Sequence, residues 1–215
     1  MARILQDPRM NLDSRNAQRV IDEIGQATTP EEALSRSSRA WDLLLAQFHL
    51  LCDRANGYPR NPIDGETWWE GHQLARVCDR FADSVQKQGN RSGELQAAAL
   101  ATAIACQVVA HYPEEIFPRV LRTARCREAV AKPDEAADDY LAILEDFRNL
   151  ELESLLDGEE APQDSQRCVL TCLVAAIEAL ERLDPARLGG DAGELKARAT
   201  RRCLANGAPV TTSGS

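Results

Sequence analysis

Two thiols lie one helical turn apart at Cys168 and Cys172. On a helix this C-x3-C spacing puts both sulfurs on one face, which permits redox chemistry or part of a metal site. Zinc would need further Cys, His or carboxylate ligands from elsewhere in the chain. The neighbours Val169, Leu170, Leu173 and Val174 point instead to buried thiols acting as small hydrophobes, so neither a metal nor a cofactor is assigned. His72 lies close to Glu66 and Glu70 and beside Trp68 and Trp69. An imidazole with a carboxylate partner can exchange protons with a substrate. Adjacent helical residues point about 100° apart, so the two indoles cannot both face one core. An exposed tryptophan would anchor a partner, unless the preceding loop, with Tyr58, Pro59 and Pro62, folds over it. Arg119, Arg122, Arg125 and Arg127 crowd another helix. Their guanidinium forks match phosphate or carboxylate oxygens, or else pair with Asp134, Glu135, Asp138 and Asp139 of the next helix.

No recognised catalytic signature accompanies these groups. His49, His72 and His111 are isolated, and H-E-x-x-H, G-x-S-x-G and phosphate-loop patterns are absent. GGDAG at 189–193 follows a helix and reads as a turn. No catalytic residue is therefore assigned.

The elements that would position these residues follow from composition and punctuation. The chain has 215 residues, 44% apolar but only 5% aromatic. Its core must be built from Leu, Ala, Ile and Val, which suits closely packed helices. The formal net charge of −9 argues against generic binding to nucleic acid or to anionic membranes. The seven cysteines are odd in number and scattered through apolar helical stretches, unlike a disulfide framework. With no long apolar run in MARILQDPRM, a cytoplasmic location is expected. Residues 95–112 carry no charge and, at about 18 residues, reach the length needed to span a bilayer. Their alanines and interrupting polar residues suggest a central helix buried on all sides.

Helix signals recur along the chain. A helix over 11–24 stops at Gly25; Thr29, Pro30 and Glu32 then start a long one running to Asn56–Gly57. Within it Leu34, Trp41, Phe48 and Ala55, interleaved with Ser37, Leu44 and Leu51, form a heptad-like seam. That seam is either a core face or a surface for self-association. Further helices are expected from Glu66 to Lys87, from a Ser92 cap to Pro113, and from Pro118 to about 131. Another opens at Pro133 and extends past Phe147 towards Leu156 with a possible break; the last two span 165–183 and 191–206. Expected core residues are Leu44, Phe48, Leu100, Ile104, Val108, Tyr140, Leu144, Leu173 and Ile177.

The stretch 117–147, FPRVLRTARCREAVAKPDEAADDYLAILEDF, resembles a tetratricopeptide repeat. Ala124 stands at the small position of the first helix, and Ala136 and Tyr140 match the small and aromatic positions of the second. Val120 and Arg127 stand where that family prefers an aromatic, Ile143 where it usually has Ala, and Arg148 where its closing proline falls. The likeness covers about one repeat. It implies a protein-binding scaffold in which Leu121, Arg125 and Glu128 face a peptide.

The expected fold is all-α, with about eight helices in antiparallel hairpins, as a tetratricopeptide-like solenoid or an irregular bundle. One domain is expected over 1–207, with a loose tail over 208–215. The expected function is non-catalytic: an adaptor or scaffold that binds a protein or peptide, through Leu121, Arg125 and Glu128 or through Trp68 and Trp69. Nucleic acid and membrane are not expected partners. The alternatives are an enzyme or small-ligand binder near Glu66, Glu70 and His72, and a self-associating structural subunit forming a homo-oligomer.

Overall fold

The computed structural model describes residues 14–24, 26–27, 29–56, 65–108, 112–157 and 162–204. Within these the chain is all-α: α1 (Ser14–Ile24), α2 (Pro30–Asn56), α3 (Gly65–Lys87), α4 (Arg91–Val108), α5 (Pro113–Ala129), α6 (Pro133–Asn149), α7 (Asp164–Leu183) and α8 (Ala192–Leu204). Short 3-10 turns lie at Leu152–Leu156 and Pro185–Arg187, and no strand occurs among the described residues. No helix described is long and apolar enough to cross a membrane. The closing Asn206–Gly207 and the tail over 208–215 lie outside the described residues.

Several helix starts follow the sequence signals. The Thr29 hydroxyl accepts the Glu32 N–H at 3.2 Å, and Pro133 occupies the first turn of α6 with Asp134 and Glu135 at its positive end. Two starts differ from expectation. Gly89 takes φ +73, so the next residue, Asn90, becomes the cap of α4, its Oδ1 accepting the Gly93 N–H at 2.9 Å. Ser92 falls inside the helix. Likewise α5 opens at Pro113, and Pro118 lies within it, withholding an N–H from the Glu114 carbonyl.

The exits from α5 and α6 use a conformation that the sequence does not advertise. Ala131 has φ +59. Its N–H reaches the Glu128 carbonyl at 3.1 Å while the Lys132 N–H reaches that of Arg127 at 2.9 Å. This is the paired closure that usually takes glycine at the left-handed position. Glu151, at φ +54, ends α6 in the same region, which supplies the break before Leu156.

The helices gather into two compact units, residues 1–111 and 112–215. In the first, α3 packs most extensively on α4, and α1 and α2 pack on each other and on α3. Trp41 of α2 stacks against Phe81 of α3 with centroids 6.3 Å apart. The heptad line Ser37, Leu44 and Leu51 is buried, whereas Leu34 is 61% exposed, so much of the seam is spent within the unit. The uncharged stretch of α4, from 95 onward, is one-sided: Ala97, Ala98, Leu100, Ala101, Ile104 and Ala105 are buried, while Gln96, Cys106 and Gln107 face solvent. Alanine and neutral polar residues tolerate water, so lack of charge was not a sign of all-round burial.

In the second unit α5 packs on α6 and α7, α6 on α7, and α7 on α8. Ala124, Ala136, Tyr140, Ile143, Leu144, Phe147, Leu170, Leu173 and Ile177 are at most 2% exposed. Of the expected core residues Phe48 is only half-buried, and the Val108 side chain lies outside the described set.

Replacing Ala131 by Gly should relieve the left-handed strain and stabilise the second unit by about 1 kcal/mol. Leu173→Ala, at a fully buried site, should cost about 3 kcal/mol; Leu34→Ala should change stability by less than about 0.5 kcal/mol. Urea midpoints measured on the three variants check all of these.

Candidate functional site

Leu121, Arg125 and Glu128 of α5 do not share one environment. Leu121 is 7% exposed and belongs to the core. Glu128 is taken up by its own fold: it accepts a hydrogen bond from the Tyr140 hydroxyl at 2.5 Å and pairs with Arg182 of α7 at 2.7 Å. Burial alone would raise the Glu128 carboxyl, but the bonds from Arg182 and Tyr140, with the Arg182 and Arg125 charges, hold it below the usual range. Arg125 alone of the three is exposed.

Two other arginines of α5, Arg119 and Arg127, are tied to neighbouring acids, and Arg122 is half-buried. Arg119 is buried and pairs with Glu115 of its own helix at 2.9 Å. Arg127 reaches α6, at 2.5 Å from Asp139 and 3.6 Å from Glu135, while Asp138 is claimed by Arg187 at 2.7 Å. Asp139 keeps a buried oxygen, Oδ2, without a hydrogen-bond partner. Burial lifts its carboxyl to about 6 despite the Arg127 charge.

The Trp–Trp–His cluster is on α3. Trp68 is half-buried and stacks on His72, centroids 5.6 Å apart and planes within 2°. Trp69 is 54% exposed and lies 6.4 Å from the same imidazole. The His72 ring is thus engaged by both indoles. Glu70 is half-buried; the Glu66 side chain and the loop over 57–64 lie outside the described residues.

Beside this cluster lies a set of residues that sequence reasoning passed over. Trp69, Gln73, Arg76 and Arg80 recur at spacings of four, three and four along α3, which places them on one helical face. Gln73, Arg76, Val77 and Arg80 form one wall of an open groove of about 370 Å³; Gln18, Arg19 and Asp22 of α1 form the other. Asp22 accepts a hydrogen bond from Gln18 at 2.5 Å. Among the described residues neither Arg76 nor Arg80 forms an ion pair, whereas Arg127, Arg148, Arg182, Arg187 and Arg198 all do. With Arg76 and Arg80 on one wall and Asp22 already bonded to Gln18 on the other, the groove has a local positive balance in an acidic chain. The signal was present in the 69-73-76-80 spacing, but it is visible only when these residues are read as one stripe.

The described residues hold no group of three or more His, Cys, Asp or Glu side chains arranged to bind a metal. Compared with protein-family models, with curated proteins and with solved structures, the chain matches none.

A pH dependence follows from Asp139. Its folded-state value near 6, above the ordinary 3.8, means that its stabilising share is full at low pH and is lost as pH rises through about 4 to 6. Asp139→Asn removes that loss, so the variant should gain stability relative to wild type across this window. Urea unfolding of both proteins at pH 4, 5, 6 and 7 provides the check; a constant difference would contradict the assignment.

Proposed function

We propose that the chain is a non-catalytic protein-binding module, an adaptor or scaffold, that takes an acidic segment of a partner along the outer face of α3. The observation that carries this reading is the stripe of an exposed Trp69 followed by Gln73, Arg76 and Arg80, the last three lining the groove against α1. A large indole held in solvent supplies the apolar anchor that binding hot spots favour. Arg76 and Arg80, which form no ion pair among the described residues, supply charge-assisted bonds to carboxylates. The partner that fits is an acidic peptide stretch carrying one large apolar side chain for Trp69. Arg125 in the second unit is an independent exposed cation and is not needed for this contact.

The tetratricopeptide likeness of 117–147 is a sequence resemblance, and it supports the same class of function without supplying the surface. A cytoplasmic setting, suggested by seven free thiols, is part of the proposal. The heptad seam adds less to a self-association reading, because Ser37, Leu44 and Leu51 are buried within the unit.

Selection of a displayed random peptide library on the intact chain tests the proposal. Enriched peptides should combine Asp or Glu with an aromatic or large aliphatic residue. Trp69→Ala, and separately the pair Arg76→Glu with Arg80→Glu, should each weaken a selected peptide about thirtyfold, the effect of losing one hot spot. Arg39→Glu, an exposed change on α2, should have little effect. Equal binding by all variants, or enrichment without acidic residues, would overturn it.

A further inference from the structure

We propose that the segment seated on α3 is itself an amphipathic helix lying along it, with a large apolar residue at i and carboxylates at i+7 and i+11. This rests on the acidic-segment reading above and adds the shape and register of the partner. A partner running the opposite way uses i−7 and i−11.

The stripe has the geometry of a helix and offers it to another. Trp69, Arg76 and Arg80 are exposed and are separated by seven and then four residues. At about 100° per residue both arginines fall within about 20° of the line through Trp69. At a rise of about 1.5 Å per residue, Arg76 lies about 10.5 Å along the axis from Trp69 and Arg80 about 16.5 Å. A second helix alongside α3 repeats this rise and this rotation. Its three residues therefore meet all three groups from one face.

Other backbone shapes miss at least one of them. An extended segment rises about 3.3 Å per residue, so the arginines fall near its third and fifth residues from the anchor. Both offsets are odd, and odd offsets point away from the side that carries the anchor. A polyproline segment, at about 3.1 Å per residue and three residues per turn, reaches Arg76 at its third residue but has turned away at the fifth.

Backbone hydrogen bonding favours the same shape. The stripe lies inside α3, which is helical from Gly65 to Lys87, so its N–H and C=O groups are taken up within the helix. No strand among the described residues offers an edge. Along the groove an extended segment would meet only the amide side chains of Gln73 and Gln18, and Gln18 already donates to Asp22. A helix arrives with its own backbone satisfied and needs side-chain contacts alone. The groove suits that division. Its volume of about 370 Å³ admits side chains, whereas a helix about 10–12 Å across stays above it.

Charge limits the register and the occupant. Neither Arg76 nor Arg80 forms an ion pair among the described residues, so each can take one carboxylate. The next position of the stripe, three residues on, is the exposed Asp83. A third carboxylate at i+14 would lie beside it, so uniform acidity is not the best match. This chain has no fitting segment of its own. Among its carboxylates four residues apart, no pair has Leu, Ile, Met, Phe, Tyr or Trp seven residues outside it. Glu66 and Glu70 reach Val77, which is 6% exposed and belongs to α3 itself. The occupant is therefore another protein rather than a second copy.

The test measures fluorescence anisotropy of labelled peptides on the full chain. The matched probe is an Ala- and Gln-based helix with Leu at i and Glu at i+7 and i+11. One control moves the glutamates to i+5 and i+9, on the opposite face. A second places them at i+3 and i+5, the extended match. The third is the matched probe with Pro at i+5, which breaks the helix. Each probe is also made with its sequence reversed. The better matched probe should bind at least about tenfold tighter than every control. Arg80→Glu should weaken it, and Lys in place of the glutamate at offset eleven should restore binding. That Lys should not restore Arg76→Glu, which needs Lys at offset seven. Equal or tighter binding of the extended or proline probe, lost on Arg76→Glu, would overturn the helix and leave the acidic-segment reading standing. Restoration by either Lys whichever arginine is reversed would overturn the register. Binding by none of the probes would overturn this inference as well, and the library selection then decides the acidic-segment reading by itself.

Discussion

Close approach between helices, made possible by alanine, is the constraint on which the rest depends. With only 5% aromatic residues the chain has few large side chains to fill space between helices. It fills the space with backbone. Ala75, Ala82, Ala97, Ala98, Ala101 and Ala105 bring α3 and α4 together in the first unit, and Ala124, Ala136, Ala137, Ala176 and Ala199 serve the second, all at most 3% exposed. Small residues at helix contacts shorten the interaxial distance towards the lower end of about 8–10 Å. The cost is that each helix buries little apolar area of its own, so a single large residue matters more than it would in an aromatic-rich core.

Tyr140 shows the consequence. It is among the largest fully buried side chains, and its hydroxyl needs an acceptor where water does not reach. Glu128 supplies it, and Arg182 balances the carboxylate. One polar chain thereby joins α5, α6 and α7. Truncating Glu128 would strand a buried hydroxyl, so this residue is held by the fold rather than offered to a ligand. Longer-range pairs, Arg148 with Asp191 and Arg198 with Asp157, act at the surface. Pairs of that kind contribute at most about 1 kcal/mol, so they adjust how helices sit more than they hold them.

Much of this fold was legible in the sequence because its punctuation is chemical. Thr29 and Pro133 start helices by satisfying or removing N–H groups, and both signals are local. The misread boundaries had a competing local signal: Pro118 lies only five residues after Pro113, and Asn90 only two before Ser92. The left-handed exits at Ala131 and Glu151 carry no glycine, so nothing in the residue type announces them; the closing hydrogen bonds and the packing of α5 against α6 stabilise them. At the candidate site, neighbouring indoles guaranteed that one would diverge from the core, which is a property of the helix alone. Which arginines stay unpaired is a tertiary outcome. Arg127 meets Asp139 across a turn, whereas Arg76 and Arg80 line a groove with α1, where Asp22, the one carboxylate among the described lining residues, is bonded to Gln18.

That difference decides how the α3 surface can discriminate. The whole chain carries −9 and so repels an acidic segment at long range, while the groove attracts it only within a Debye length of about 8 Å at physiological ionic strength. Salt weakens both effects. Electrostatic steering therefore cannot be the source of strong capture here, and an acidic segment gains from Arg76 and Arg80 only once it is already seated. What seats it must be uncharged and short-ranged. Trp69, half in solvent at the head of the stripe, is the group that can do this. The indole selects a segment by its apolar residue, and the guanidiniums then hold the carboxylates that accompany it.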